Sequence, residues 1–162
     1  ATEQPINRPK YNQKEYYSGK KKRHTIKRQI IITPDKKLIA IGRVQSGKSN
    51  DKTIANESYY LLRAPPDSTG MFDLGYKAID TLGTNIKIIM PIKKKPKIPL
   101  TDAEKTTNKA ISSVRVRVEH VIGHLKFNRI FADKVRYRLP IADEISNIAG
   151  GLYNFKNFYL KT

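Results

Sequence analysis

The sequence predicts an α/β domain with a mixed sheet flanked by helices. Short β-branched runs come early in the chain, and two long segments with apolar residues at three- and four-residue steps come late. Strand-like and helix-like segments alternate between them, which is the order typical of α/β domains. With 162 residues, of which 38% are apolar, the chain suits a single domain around one hydrophobic core, residues 1–162.

Two β-branched runs in the first half of the chain predict an antiparallel hairpin. Residues 29–33 and 38–41 flank Pro34-Asp35, a dipeptide that favours a turn. Residues 51–63 then show helical spacing with an acidic start, and the prolines at 65–66 end that helix. Two further short apolar runs, residues 71–73 and 86–90, predict strands.

Two helices are predicted in the second half, after an exposed Lys/Pro loop at residues 91–99. Thr101, with Glu104 three positions later, is the pattern of a helix start. The apolar residues of this helix recur on one side, at Ile111, Val114, Val118, Val121, Ile122 and Leu125. A last helix over about residues 140–159 has the same spacing, at Ile141, Ile145, Ile148, Leu152 and Phe155.

Charge is the strongest signal in the composition. Lys and Arg number 32 against 14 Asp and Glu, which leaves a net charge of +18. A compact chain with that excess repels itself, so the composition favours a polyanionic partner such as DNA or RNA. No apolar run reaches membrane-spanning length, so no membrane partner is expected, and the lack of cysteine excludes disulfides and thiolate metal sites.

One segment, residues 42–49, fits the phosphate-binding loop pattern G-x-x-x-x-G-K-S. It follows a predicted strand and precedes a predicted helix, and its Lys48 would contact the outer phosphates of a nucleotide. The preceding strand is predicted to pair in a hairpin, whereas a nucleotide-binding fold needs a parallel strand there. Nucleotide binding therefore stands as an alternative to a polar loop.

Two histidines, His120 and His124, stand four residues apart on the first of the two late helices. That spacing places both on one helix face and suits zinc. Their order with Glu119 differs from the His-Glu-x-x-His pattern of zinc proteases, and no third ligand is evident. The alternative is a pair of histidines on a packed or DNA-facing helix.

Asp73 and Glu119 are the carboxylates that stand out in a chain poor in acids. Asp73 ends a predicted strand beside Gly75, and Glu119 lies at the edge of the apolar stripe, four residues from Arg115. Carboxylates in such surroundings can serve as ligands of catalytic metal ions. Spacing alone leaves a turn aspartate and an ordinary Arg115–Glu119 helix pair as the alternative.

Three segments carry a family resemblance: residues 16–25 (YYSGKKKRHT), 73–76 (DLGY) and 112–126 (SSVRVRVEHVIGHLK). They resemble the DDE superfamily endonuclease domain of bacterial insertion-sequence transposases, to which eukaryotic Harbinger-type transposases are related. The matching segments follow the same order as in the family and extend over nearly the whole chain. They include residues 93–96 (KKKP) and 100–101 (LT).

The resemblance implies an RNase H-like fold in which three carboxylates hold two divalent ions, Mg²⁺ or Mn²⁺. In such a site one ion activates water or a DNA 3′-hydroxyl, and the other stabilises the leaving oxygen. Asp73 matches the family's second acid and Glu119 its third, so both are expected to be catalytic and metal-binding. The implied activity is cleavage and strand transfer at transposon ends.

The resemblance also implies partners. It places a basic strand at residues 20–27 and has this strand face DNA. The side chains expected to contact the DNA backbone are Lys20, Lys21, Lys22, Arg23, Lys93, Lys94, Lys95, Arg115 and Arg117. An active transposase is expected to be a homodimer, because two transposon ends must be paired. The expected setting is the bacterial cytoplasm, or the nucleus of a eukaryotic host.

The sequence departs from the family pattern in two places. The family's first acid opens the pattern Asp-x-Thr-Glu-x-Pro-Ile, and Ala1 stands one position after that acid. We therefore expect an N-terminally truncated core with an incomplete first strand, without the DNA-binding region that precedes it, and with impaired catalysis. Glu3 would project from the same strand face as the missing aspartate. In the second place, Asn50-Asp51 stands where the family usually has His-Asp.

The alternative function is a non-catalytic nucleic-acid-binding protein or a transposase remnant.

Overall fold

A computed structural model describes residues 1–58, 60–61, 63–77, 79, 86–136 and 139–160. The chain divides into two compact units, which we call unit 1 (Ala1–Asn50 with Val118–Thr162) and unit 2 (Asp51–Arg117). Helices and several small sheets both occur, so the predicted α/β class is confirmed. The assignment of residues 1–162 to one domain stays a prediction.

Strand β3 (Arg23–Arg28) is the central strand of a sheet in unit 1. It pairs antiparallel with β1 (Thr2–Pro5), β2 (Tyr17–Ser18) and β6 (Gln45–Ser46), and the one-turn helix α1 (Gln13–Tyr16) precedes β2. Because β3 has neighbours on both edges, pairing satisfies its backbone hydrogen-bonding groups inside the unit.

The basic strand predicted over residues 20–27 begins later in the structure. Residues 19–22 form a turn in which Lys22 has a φ of 52°, a left-handed value that interrupts extended backbone. Near its end β3 alternates in burial, with Ile26 and Arg28 buried and Lys27 half-buried between them. The lysines at 20–22 therefore lie in an exposed turn rather than on the strand.

The predicted hairpin is confirmed. β4 (Ile30–Ile32) and β5 (Leu38–Ile41) pair antiparallel. The turn between them is closed by the Lys36 N–H, which donates to the Thr33 carbonyl at 3.0 Å. Pro34 occupies the second position of this turn, where its fixed φ favours the required geometry, and this is why a local dipeptide located the hairpin correctly.

Unit 2 begins with helix α2 (Asp51–Ser58), which is shorter than the predicted helix over residues 51–63. The Ser58 hydroxyl donates to the Ala55 carbonyl at 2.8 Å. A serine side chain that takes a backbone acceptor in the last turn competes with continuation of the helix. The buried residues of α2 are Ile54 and Ala55.

Two short strands of unit 2, β7 (Thr69–Met71) and β8 (Lys87–Ile89), pair in parallel. β8 confirms the second of the two predicted strands. The first was predicted at residues 71–73, two residues later in the chain than β7. The Phe72 N–H still donates to the Ile89 carbonyl, whereas Asp73 begins a 3-10 turn and so ends the strand.

Helix α3 (Asp102–Phe127) starts where the sequence predicts it. The Glu104 N–H donates to the Thr101 hydroxyl at 3.3 Å, and the Thr101 N–H donates to the Glu104 carboxylate at 2.7 Å. These reciprocal bonds satisfy donors that the helix itself leaves free. The backbone hydrogen bond from Thr101 also lowers the pKa of Glu104. The predicted apolar stripe is buried at Ile111, Val121, Ile122 and Leu125.

The last helix, α5 (Leu139–Asn154), follows the one-turn helix α4 (Arg129–Ala132) and continues into a π-helical turn (Phe155–Tyr159), so the predicted last helix is confirmed. Its buried residues are small: Ala142, Ser146, Ala149 and Gly150. The large apolar residues that carry the predicted spacing are mostly exposed, and we call four of them the α5 stripe: Ile141, Ile148, Leu152 and Phe155.

Apolar side chains gather in separate clusters within each unit. In unit 1, one cluster joins the hairpin to the late helices through Leu38, Ile41, Val121, Leu125, Phe131 and Ala149. A second cluster in unit 1 contains Ile6, Ile26, Val135 and Ala142. The cluster of unit 2 contains Ala55, Leu61, Tyr76 and Ile79. Within the described part of the chain, no helix has both the length and the apolar character that a membrane crossing needs.

Gly150 allows α5 to pack closely against the hairpin. A methyl group at this position would lie 2.7 Å from Leu38 Cδ2 and 3.0 Å from Ile41 Cδ1, whereas one at Gly151 would meet no atom within 4 Å. We expect Gly150→Ala to lower the free energy of unfolding by about 1 kcal/mol, because overpacking costs about 1–3 kcal/mol and helix propensity returns about 1 kcal/mol.

Gly151→Ala is the matched control for this change. It should raise the free energy of unfolding by up to about 1 kcal/mol, because only the propensity gain applies to it. Urea unfolding of both variants measures the difference. Equal stabilisation by the two alanines would contradict the close packing at Gly150.

Candidate active site

Asp73 lies where β7 ends and the 3-10 turn Leu74–Tyr76 begins. It caps this turn in an extended conformation, and its Oδ1 accepts a hydrogen bond from the Leu74 N–H at 2.7 Å. The parallel strands position the residue, since the preceding Phe72 N–H donates to the Ile89 carbonyl at 2.9 Å. The backbone of unit 2 therefore fixes where this carboxylate stands.

Arg115 on α3 binds the second oxygen of the same carboxylate. Its Nη2 donates to Asp73 Oδ2 at 2.9 Å, with the two side chains 32% and 51% exposed. This partner differs from the Arg115–Glu119 helix pair that spacing left open. Because both groups are partly exposed, solvent screening keeps the ion pair's contribution to stability within about 1 kcal/mol. Its main consequence is positional: both Asp73 oxygens are engaged within unit 2.

Tyr76 and Asp51 belong to the same region of unit 2. Burial raises the pKa of Tyr76, and the carboxylates of Asp51 and Asp73 raise it further. A Cβ at Gly75 would lie 3.2 Å from Asp51 Oδ2, so glycine leaves room for that carboxylate. Sequence reasoning noted Asn50-Asp51 only as a departure from the family pattern. It missed the proximity to the DLGY segment because no spacing rule connects residues so far apart.

Glu119 is an exposed residue of α3. The two neighbouring histidines have other partners: His120 Nδ1 lies 3.4 Å from Lys36 Nζ, and His124 packs edge-on against Tyr153 with ring centroids 6.0 Å apart. The zinc alternative therefore gains no support from the arrangement of these side chains.

The side chains available as ligands determine whether the expected divalent ion fits. Mg²⁺ and Mn²⁺ favour carboxylate oxygens, so Asp73 and Glu119 suit such an ion in kind. The Asp73 oxygens are already bonded to Leu74 and Arg115, however. Among the residues that the structure describes, no three His, Cys, Asp or Glu side chains gather as possible metal ligands. The described residues do not by themselves complete a metal centre.

The predicted DNA-contacting residues differ in how far they are available to a phosphate. Those of unit 1 are exposed in the turn before β3 and at its first residue: Lys20, Lys21, Lys22 and Arg23. In unit 2, the exposed loop after β8 contains Lys93, Lys94 and Lys95. Arg115 and Arg117 on α3 differ from these lysines: Arg115 is half-buried and paired with Asp73, whereas Arg117 is half-buried on the same helix.

Glu3, expected on the same strand face as the first acid of the family pattern, forms contacts within the sheet of unit 1. It lies opposite Lys27 in the pairing of β1 with β3, and it accepts a hydrogen bond from the Thr25 hydroxyl at 2.6 Å. This bond joins the half-buried Glu3 side chain to the central strand and so helps to fix β1.

The phosphate-loop pattern of residues 42–49 has backbone donors bonded inside the protein. The Val44 N–H donates to Asp143 Oδ1 at 2.7 Å, and the Lys48 N–H donates to the Glu15 carbonyl at 3.0 Å. A phosphate cradle needs such N–H groups to face the ligand. The preceding strand, β5, is antiparallel as expected. The geometry contradicts the nucleotide-binding alternative.

A basic cavity of about 540 Å³ in unit 1 lies outside all the residues singled out from the sequence. It is lined by Arg129, Ile130, Asp133, Lys134 and Arg136, and Arg129 Nε lies 3.4 Å from Asp133 Oδ2. Three cations in so short a stretch do not stand out in a chain with 32 Lys and Arg residues, which is why sequence reasoning did not single them out.

The family model described as DDE superfamily endonuclease matches residues 1–154. That range includes Asp73, Glu119 and both exposed lysine clusters. The chain therefore belongs to the DDE superfamily endonucleases.

Among curated proteins, the chain is similar to a "Probable transposase for insertion sequence element IS702" from Microchaete diplosiphon. The two are 32% identical over 161 residues, which are 96% of this chain and 55% of the relative. The chain thus spans about half the length of the curated relative that it matches. No solved structure matches this chain.

Proposed function

We propose that this chain is the catalytic-core part of a DNA transposase that cleaves and joins DNA at transposon ends. The observation that carries the proposal is the family match over residues 1–154. The net charge of +18 supports a polyanionic substrate, and the IS702 relative is described as a probable transposase. Because the chain spans only part of that relative, the activity of the whole protein belongs to the proposal.

In this proposal Asp73 and Glu119 are two metal-binding carboxylates of an RNase H-like core, with Mg²⁺ or Mn²⁺ as the ion. The third carboxylate would be the acid that opens the family pattern, one position ahead of Ala1. What supports a special role for Asp73 is its fixed carboxylate, which the Leu74 N–H and Arg115 hold in place. Arg115 acts as a positioning residue for this group.

The DNA partner in this proposal contacts the exposed cations at residues 20–23 and 93–95, together with Arg117. Lys and Arg side chains gain affinity for DNA by releasing condensed counterions, which makes such binding sensitive to salt. Two copies of the chain would act together as a homodimer, in the cytoplasm of a bacterial cell.

Removal of either proposed metal ligand should abolish DNA nicking. The assay uses supercoiled plasmid with Mn²⁺ and the chain preceded by its native upstream residues, to which this proposal assigns the first acid. We expect Asp73→Asn and Glu119→Gln each to reduce the nicking rate by about 100-fold or more, since changes to groups that merely support a metal ligand already cost about 10- to 100-fold. The 162-residue chain alone should nick weakly or not at all.

Asp102→Asn is the matched control, because Asp102 is an exposed acid on α3 with an ion pair to Lys105 at 2.8 Å. It should leave the rate unchanged, and all variants should melt within about 4 °C of the parent, since the ion pairs that are lost contribute about 1 kcal/mol or less. Nicking by the longer chain that persists in Asp73→Asn would contradict the assignment of Asp73. If the 162-residue chain nicks strongly and Asp73→Asn abolishes this nicking, the expectation that the 162-residue chain is catalytically impaired is wrong.

The alternative is a DNA-binding protein without catalytic activity. The observation that favours it is the Arg115 guanidinium, which already neutralises Asp73, together with the lack of a three-ligand group among the described residues. In the same experiment it predicts no nicking by the longer chain. It also predicts salt-sensitive DNA binding that Asp73→Asn and Glu119→Gln leave unchanged.

A further inference from the structure

Helix α5 has two apolar sides, and only one of them is buried. The buried side consists of small residues, with Ala142 and Ala149 packed in the clusters of unit 1. The α5 stripe is exposed by 42–63% at its four positions. At about 100° per residue, the stripe lies roughly a third of a turn around the helix from the buried side. The molecule therefore leaves a row of large apolar side chains in water.

The spacing of this row is that of a helix–helix seam. Ile141, Ile148 and Phe155 stand seven residues apart, and Leu152 lies four residues after Ile148 and three before Phe155. Alternating steps of three and four residues keep one line of side chains facing a partner helix. Ile145 fits the same repeat and is half-buried against the cluster of Leu38 and Ile41, so it borders the seam. Exposed apolar residues scattered singly need no explanation, but a continuous row marks an interaction surface.

Charge decides what this surface can bind. The 16 residues of α5 contain Asp143 and Glu144 and no Lys or Arg, in a chain with a net charge of +18. A helix without cations has nothing to offer DNA phosphates or an anionic membrane. Two copies of so basic a chain repel each other wherever cations face each other. A face poor in cations, with Lys156 next to Phe155 at its C-terminal end, lets them approach with less repulsion. An apolar row is also self-complementary, as a two-fold contact requires.

We propose that the α5 stripe is the surface through which two copies of this chain pair, each presenting the stripe to the other. The inference rests on the homodimer of the proposed function and gives it an interface. At about 1.5 Å per residue the stripe is about 21 Å long. A single row of four side chains of that length covers less area than the roughly 800 Å² per partner of specific interfaces. The dissociation constant is therefore expected in the micromolar range.

The first experiment is sedimentation of the 162-residue chain without DNA, from about 1 to about 100 µM, in about 0.3 M salt to screen repulsion. The double variant Ile148→Gln, Leu152→Gln should raise the dissociation constant about ten-fold or more, because it removes the centre of an apolar contact. Ile39→Gln is the matched control: Ile39, on β5, is as exposed as Ile148, at 63% each, and its replacement should leave pairing unchanged.

The second experiment uses the absence of cysteine in the sequence. Ile148 stands midway along the stripe, so Ile148→Cys brings two thiols together whether the helices pair parallel or antiparallel. Mild oxidation should give a disulfide-linked dimer of Ile148→Cys at a rate well above that of Ile39→Cys.

Each outcome decides the inference. Concentration-dependent pairing that the double variant weakens, with selective cross-linking at position 148, supports it. Pairing that the double variant leaves intact overturns the interface while the homodimer stands. A chain that is monomeric at every concentration and does not cross-link at position 148 overturns the interface as well. The nicking assay judges the transposase function separately, so a failure of one is distinguishable from a failure of the other.

Discussion

Gln4→Ala is expected to lower the free energy of unfolding by about 3 kcal/mol or more. Gln4 on β1 is 2% exposed, and its Nε2 donates to the carbonyls of Ile130 at 2.6 Å and Asp133 at 2.8 Å. Its Oε1 accepts from Arg28 Nη1 at 2.8 Å, and Arg28 is itself buried. Alanine would remove one hydrogen-bond partner from each of these three groups, and the bond lost by the charged Arg28 is buried whereas those lost by the two carbonyls are partly buried.

A half-buried glutamine with an exposed hydrogen bond provides the control for this change. Gln13 accepts a hydrogen bond from Arg8 Nε at 2.8 Å on the surface, so Gln13→Ala should change the free energy of unfolding by about 0.5 kcal/mol or less. Gln4→Glu keeps an acceptor for Arg28 but places a carboxylate oxygen against the carbonyls of Ile130 and Asp133, so it should also lower the free energy of unfolding. Urea denaturation followed by circular dichroism measures all three variants. A loss in Gln4→Ala no larger than that in Gln13→Ala would show that Gln4 does not anchor β1.

Gly47→Ala is expected to cost about 3 kcal/mol, at the upper end of overpacking effects. A Cβ at this position would lie 2.7 Å from the Thr25 carbonyl oxygen and 2.9 Å from the Tyr16 carbonyl oxygen, and it would also overlap the Thr25 hydroxyl. The two carbonyl oxygens belong to backbone, so the clash is relieved only by moving β3 or the end of α1. The glycine is needed for this close approach and not for a bound phosphate.

Two changes separate these explanations. A Cβ at Gly19 would meet no atom within 4 Å, so Gly19→Ala should leave the melting temperature within about 2 °C of the parent. Lys48→Ala removes the cation of the phosphate-loop pattern and should change neither stability nor any residual affinity for ATP. ATP binding that disappears in Lys48→Ala would reverse the interpretation of residues 42–49.

The sequence predicted best those features that depend on neighbours within a few positions. The Pro34-Asp35 turn and the Thr101–Glu104 cap are both local, and both occur where expected. Two of the wrongly predicted boundaries, the start of β3 and the end of α2, each have a local cause that helix or strand propensity does not capture. Lys22 takes a left-handed φ, and Ser58 bonds to a carbonyl of its own helix.

Features set by distant contacts could not be predicted from spacing. Gln4 bonds to residues 126 and 129 positions away, and Asp73 pairs with a residue 42 positions away. Helical periodicity identified α5 but not its buried side. The periodic residues are large and apolar, whereas the buried side packs closely at Gly150 and therefore contains small residues. The family was predicted from ordered motifs and is confirmed by the match over residues 1–154.

Unit 1 is discontinuous in the chain, and this has a consequence for how the molecule is made. The Val135 N–H donates to the Pro5 carbonyl at 2.9 Å, and Gln4 donates to Ile130 and Asp133 in the same stretch. During synthesis, all of unit 2 emerges before these partners of β1 exist. β1 can pair with β3 early, but its bonds to residues 130–135 must wait for the last quarter of the chain. Bringing together segments so far apart in the chain costs conformational entropy before any contact forms, and this slows folding. A ribosome that stalls after unit 2 leaves Gln4 with Arg28 but without the two carbonyl acceptors of its Nε2 donors, a state that chaperones and proteases would meet first.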